Sequence, residues 1–214
     1  MDLNTFKPAG VLAQKLGVKA VIYGLPGSGK TPLIGTAPRP AMLATEPGML
    51  SMRGSTVPAI EAYTVKDITE FFEWFFKSSQ VSAFDTLCID SVSQLAEIVL
   101  THELKSVKDG RMAYGNMSRK VMDWLNQLYF FPNKHILLIA KQASDEGVKR
   151  PFFPGQDLNI KVPHMFDLVG HLGVKRIPQI PGEHLAIQTK GDFDTLCRDR
   201  SGKLDAFEVP NLTQ

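Results

Sequence analysis

Eight consecutive residues, Gly24-Leu25-Pro26-Gly27-Ser28-Gly29-Lys30-Thr31, have the types and spacing to hold a polyphosphate. They satisfy G-x-x-x-x-G-K-[ST] in full. The glycines let the backbone curl, so that successive N–H groups point inward at phosphate oxygens. A helix starting at the end of the loop adds the positive end of its dipole. Lys30 is placed to neutralise the β- and γ-phosphates of ATP, and the Thr31 hydroxyl to bind Mg²⁺. Pro32 follows directly and completes the candidate binding set. A first-turn proline loses no intrahelical hydrogen bond, so it does not forbid the helix.

Mg²⁺ needs a second oxygen ligand, and Asp90 is the candidate. It ends the apolar run Thr86-Leu87-Cys88-Ile89, a buried strand, and a carboxylate at that tip can hold the metal beside a phosphate loop. Asp85 precedes the same run and falls at the wrong end of the strand.

These residues need a scaffold. Val18–Tyr23 reads as the first strand and 40–45 as the second, with further strands over 85–90 and 135–140. Ile68, Phe71, Phe72, Phe75 and Phe76 recur at helical spacing behind an acidic start, which predicts an amphipathic helix whose aromatic stripe packs on the sheet. Helices are expected over 91–107 and 113–130, separated by Lys108-Asp109-Gly110-Arg111. Residues 142–161 contain Gly147, Pro151, Pro154 and Gly155 and read as a long loop or irregular hairpin. Strands follow at 168–177, 183–190 and 194–198. Alternating strands and helices imply an α/β fold with a mainly parallel sheet flanked by helices, finished by antiparallel C-terminal edge strands. The expected division is a lead-in over 1–17 and one core over 18–214.

The 214 residues carry a formal net charge of +2, which permits nucleic-acid binding without arguing for it. Cys88 and Cys197 match no metal or redox spacing and read as reduced thiols. No stretch has the roughly 20 apolar residues of a membrane span, and the first residues do not form a secretory signal, so a soluble cytoplasmic protein is expected. The five histidines form no His-Glu-x-x-His zinc motif. Neither a His-Arg-Asp kinase loop nor a G-x-S-x-G elbow is present.

With these pieces in order, the chain resembles the RecA-type ATPases. Glu46 follows the second expected strand in Met42-Leu43-Ala44-Thr45-Glu46-Pro47-Gly48; the resemblance implies that it activates the attacking water. It further implies a γ-phosphate sensor at the tip of strand 135–140, where Gln142 is the better match and Lys141 can do part of the work. Arg198-Asp199-Arg200 is similar to a motif that reaches the ATP of a neighbouring subunit, making Arg198 and Arg200 candidates for a finger in trans and the protein a homo-oligomer. Arg198 stands where related motifs often have Lys.

Gly24–Thr31, Glu46, Phe84–Ser91, Tyr114-Gly115, Phe166-Asp167 and Arg198–Arg200 together are similar to small phage-encoded ATPases that are little more than a RecA core. That group is associated with single-strand DNA annealing and recombination. The implied function is ATP hydrolysis on single-stranded DNA in the host cytoplasm, alongside phage replication or recombination proteins. In RecA-type proteins mobile loops after the late strands grip DNA; here Lys149-Arg150-Pro151-Phe152-Phe153 could pair with phosphate and stack a base, though Asp145, Glu146 and Asp157 dilute its charge. Two alternatives stay open. One is a P-loop nucleotide or small-molecule kinase, which needs an acceptor pocket and an Arg-rich lid. The other is an ATP-binding helicase-loading partner that does not hydrolyse.

Overall fold

The structure is a computed structural model and describes every residue except 1, 3, 4, 14–16, 48 and 214. Part of the expected lead-in therefore lies outside the described residues, as does Gly48. Within the lead-in, Ala9–Ala13 forms a short helix, α1.

The core begins with β1 (Lys19–Gly24), every residue of which is buried. Its apolar run suits a strand covered on both faces. After the phosphate loop come α2 (Lys30–Leu33), β2 (Pro40–Ala44), β3 (Ala59–Glu61), α3 (Val65–Lys77), β4 (Thr86–Asp90), α4 (Val92–Ser106) and α5 (Gly110–Phe130). The chain continues through β5 (His135–Asp145), β6 (Val148–Pro151), α6 (Gln156–Met165), β7 (Leu168–Lys175), β8 (His184–Gln188), β9 (Arg198–Asp199) and β10 (Phe207–Glu208).

The main sheet runs β10-β8-β7-β1-β5-β4-β2-β3. From β3 to β7 neighbouring strands are parallel, and β8 and β10 close that side antiparallel. This is the expected α/β architecture, a mainly parallel sheet with antiparallel C-terminal edge strands. Strand β5 lies between β1, which feeds the phosphate loop, and β4, which ends in Asp90. The register puts Gly24 beside Lys141, Ile139 beside Asp90, and Asp90 beside Ala44. Four parallel strands thus deliver their C-terminal ends, and the residues just beyond them, to one edge. That edge is where open α/β sheets bind ligands.

Helix α3 is set by its ends and its stripe. Thr64 and Asp67 form a reciprocal capping box, and Val65, Ile68, Phe71, Phe72 and Phe75 are buried. Phe72 stacks on Trp124 of α5 with centroids 4.9 Å apart, and Phe75 meets Phe131 at 4.9 Å. The aromatic stripe is core, as its spacing implies. Helix α5 starts earlier than expected because the Asp109 carboxylate accepts the Arg111 N–H at 2.9 Å, so that Gly110 and Arg111 join the helix. On the opposite sheet face Leu33 and Ile34 pack with Ala20, Ile22, Met42 and Leu137.

The segment 142–161, expected as a long loop or irregular hairpin, is a hairpin followed by a helix. Strand β5 runs on to Asp145, turns through Glu146 (φ 50) and Gly147 (φ 84), and pairs with β6. Two consecutive left-handed residues are what a tight hairpin turn requires. Helix α6 was hidden by Pro163 within it, and it buries Leu158 and Val162. The helix after the phosphate loop is short. Lys30–Leu33 gives way to a 3₁₀ turn over Ile34–Thr36, and Ala37 is extended before Pro38.

Candidate nucleotide site

The phosphate loop is shaped by its glycines, for steric reasons at Gly24 and for backbone conformation at Gly27 and Gly29. A Cβ on Gly24 would lie 2.3 Å from the Leu172 carbonyl oxygen and 2.8 Å from Ser28 Oγ. Gly27 (φ 77) and Gly29 (φ 89) adopt left-handed backbone, and Gly29 occupies the N-cap of α2. Lys30 Nζ folds back onto the loop, donating to the carbonyls of Gly24 at 2.8 Å and Leu25 at 2.7 Å. Burial pulls the Lys30 pKa down, while Asp90 and Glu46 push it up. Pro32 sits in the single turn of α2, where its missing N–H breaks no helix bond. With only that turn, the fixed N–H groups of the loop contribute more than a helix dipole.

Thr31 and Asp90, far apart in sequence, meet here: Thr31 Oγ1 donates to Asp90 Oδ2 at 2.6 Å. Burial raises the Asp90 pKa, the Thr31 hydrogen bond opposes this, and the Glu46 carboxylate raises it further. A half-buried carboxylate beside a hydroxyl, with a second carboxylate nearby, is a donor set suited to a hard divalent cation. The residues present therefore fit Mg²⁺ at this position. Asp85, at the opposite end of β4, is instead ion-paired with Arg39 at 2.6 Å.

Glu46 faces the same cavity. Its Oε1 accepts from Ser91 Oγ at 2.5 Å and lies 3.8 Å from Lys141 Nζ. Ser91 also caps α4, accepting the Gln94 N–H at 3.1 Å, so the start of α4 fixes the hydroxyl that orients Glu46. Lys141 Nζ donates to Glu97 at 2.6 Å and Gln94 at 2.8 Å. Gln142 meets His171 across the end of β1, 2.9 Å between Oε1 and Nε2. Ser91, Gln94, Glu97 and His171 have no motif to mark them; Ser91 alone carried a signal, as a helix-capping type directly after the strand.

These residues line one open cavity of about 540 Å³: Gly24, Pro26, Gly27, Gly29, Lys30, Thr31, Pro32, Glu46, Asp90, Ser91, Lys141 and Gln142. That volume is within the range of small-molecule sites, about 300–1,000 Å³. A larger hollow of about 710 Å³ lies between the sheet edge and α3, lined by Met42, Val57, Pro58, Phe71 and Trp74. Its lining is mostly apolar, and its one ionised side chain, Arg39, is already paired with Asp85, so the chemistry belongs to the smaller cavity. Among the described residues no cluster of His, Cys, Asp or Glu forms a protein-only metal site, and no helix is long and apolar enough to cross a membrane.

Arg198 and Arg200 are not brought to this cavity. Strand β9 pairs with the start of β7, at the opposite end of the sheet from the phosphate loop. Arg198 donates to the His164 carbonyl at 2.9 Å. Arg200 donates to the same carbonyl at 2.7 Å, to Tyr129 at 2.9 Å and to Asp167 at 3.1 Å. Both guanidinium groups are engaged within their own chain, at the end of the sheet away from its own phosphate loop. The two cations of 149–153 are likewise paired within the chain. Lys149 pairs with Asp194 at 2.8 Å and Arg150 with Asp145 at 2.7 Å. Phe153 is fully buried and cannot stack on a base.

A family model described as an AAA domain matches residues 16–201. No curated protein matches the chain. Among solved structures, a KaiC-like protein from the hyperthermophilic archaeon Pyrococcus horikoshii OT3 is similar at 11% identity and a TM-score of 0.46, covering 80% of this chain and 77% of that one.

Proposed function

The chain belongs to the AAA-domain family of P-loop proteins, and on that premise we propose that it is a Mg²⁺-dependent ATPase whose catalytic centre is the cavity between the phosphate loop, Asp90 and Glu46. The observation that carries this reading is the convergence of Lys30, the Thr31–Asp90 pair and Glu46 on one cavity from three separate strand ends. Lys30 leaves the Gly24 and Leu25 carbonyls for the β- and γ-phosphates, which offer its ammonium a full negative charge. Thr31 and Asp90 would hold Mg²⁺, which would supply positive charge to neutralise the phosphates. Glu46, oriented by Ser91, accepts a proton from water as the water oxygen bonds to the γ-phosphorus and the bond to the β-phosphate oxygen breaks, giving ADP and phosphate. Gln142 contacts the γ-phosphate. Turnover that requires Mg²⁺ and is lost in Glu46→Gln tests this.

Single-stranded DNA as effector rests on the resemblance to the phage recombination group alone, since the hairpin of β5 and β6 offers neither free cations nor an exposed Phe153. ATP turnover measured with and without single-stranded DNA separates that role from a non-hydrolysing helicase-loading one. A kinase is disfavoured by the same hairpin. Where an Arg-rich lid would close, Arg150 is tied to Asp145 and to the Asn159 carbonyl. Phosphoryl transfer to an added nucleoside would reverse that judgement.

A further inference from the structure

His171 belongs to β7 and Gln142 to β5, the two strands that flank β1. Their side chains meet beyond Tyr23, and the His171 ring lies 5.0 Å from the Tyr23 ring. The imidazole is only 7% exposed. It fits because residue 173 is glycine; a Cβ there would come within 3.3 Å of its Cε1. Its Nε2 has Gln142, whereas its Nδ1 is buried without a hydrogen-bond partner.

Two arrangements satisfy the 2.9 Å contact. With the proton on Nδ1, Nε2 accepts from the Gln142 amide, and a buried N–H is left without an acceptor. With the proton on Nε2, His171 donates to Gln142 Oε1, and only a lone pair on Nδ1 is left bare. Orphaned buried N–H groups are the rarer and costlier of the two. The first arrangement turns the Gln142 oxygen toward the nucleotide cavity; the second turns its NH₂ there.

We propose that His171 is a positioning residue for ATP recognition: its Nε2–H fixes the Gln142 carboxamide so that the NH₂ faces the cavity and donates to the terminal phosphate. This rests on the reading of that cavity as the ATP site. The ring stays neutral at physiological pH, since burial, helped by Lys175 and Lys149, holds its pKa down to about 4. Neutrality matters because a second ring N–H would face the same missing acceptor. The consequence is selectivity for triphosphate over diphosphate, because ADP has no group at the position the amide addresses.

The test compares affinities for ADP and for an ATP analogue with a non-hydrolysable β–γ bridge, both with Mg²⁺. Wild type, Gln142→Ala, His171→Phe and the double variant are compared. A hydrogen bond to a charged group is worth roughly a ten- to hundredfold preference. Gln142→Ala should lose that preference. His171→Phe should lose most of it while ADP affinity stays unchanged, which a general structural defect would not produce. The double variant should lose no more than Gln142→Ala alone. Loss in Gln142→Ala with full retention in His171→Phe overturns the proposal. Retention in both overturns it too but leaves the ATP site standing, provided Lys30→Ala abolishes binding of both nucleotides. Failure of wild type to bind either nucleotide removes the ATP site and the proposal together. If His171→Phe does not fold, imidazole ¹⁵N shifts of the wild-type protein decide: the Nε2–H tautomer is expected, and the Nδ1–H tautomer overturns the proposal.

Discussion

Lowering the pH from 7.5 to 5 should destabilise the protein through His171 in particular. In the unfolded chain this histidine titrates near 6.5, and in the fold its pKa is held down to about 4 by burial and by Lys175 and Lys149. Between those values the unfolded chain binds the proton and the native state does not, so stability falls as the pH falls. The contribution is fully present above about 6.5 and is lost progressively toward about 4. At about 1.4 kcal/mol per pH unit, the whole loss is about 3 kcal/mol, and at pH 5 about 2 kcal/mol is already gone. For a chain of this size that is a lowering of the melting temperature by about 4–8 °C. The assay is thermal or urea unfolding of wild type and His171→Phe at both pH values. Carboxylates and other histidines titrate alike in the two proteins and cancel in the comparison. Wild type should lose about 2 kcal/mol more than the variant. Parallel losses in the two proteins would refute a buried neutral imidazole.

Lys30→Ala should abolish nucleotide binding in a folded protein, measured by calorimetric titration with Mg²⁺ and ATP; retained affinity would contradict the placement of the phosphates. Phe72→Ala, which removes a fully buried ring stacked on Trp124, should cost about 3–5 kcal/mol in urea unfolding, and a cost under about 1 kcal/mol would contradict the packing. Arg200→Ala should cost about 1 kcal/mol or less, because its ion pair with Asp167 is partly exposed, and should leave ATP turnover per subunit unchanged. A large fall in its turnover without loss of stability would favour the finger in trans.

How far the site could be read in the sequence depended on how local each signal is. The phosphate loop is contiguous, and its glycines are required by backbone geometry, so eight residues sufficed. Asp90 was legible because a carboxylate ending a buried strand has few places to go in a parallel sheet. Helix α3 announced itself through its acidic start and its stripe. The rest depends on which strands become neighbours. Gln142 and His171 are 29 residues apart and meet only because β5 and β7 flank β1. Glu97 reaches Lys141 only because α4 packs on β5, and nothing in either residue type signals the pair. A charge read in the sequence does not show its partners. Lys149, Arg150 and Arg200 look available in the sequence, but Asp194, Asp145 and Asp167 hold them in the fold. The hairpin was one of the two readings of 142–161, whereas Pro163 masked the helix that follows it.

The measurement that bears most directly on the proposed activity is steady-state ATP hydrolysis by wild type and Glu46→Gln, together with ATP affinity for each. Gln keeps the shape of Glu46 and can still meet Ser91 Oγ, but it cannot take a proton from water. A positioned base contributes about 10²- to 10⁴-fold, so turnover should fall by that factor while ATP affinity stays within a few-fold of wild type. Turnover in Glu46→Gln equal to that of wild type, or a wild-type protein that binds Mg²⁺ and ATP without releasing phosphate, would contradict the account.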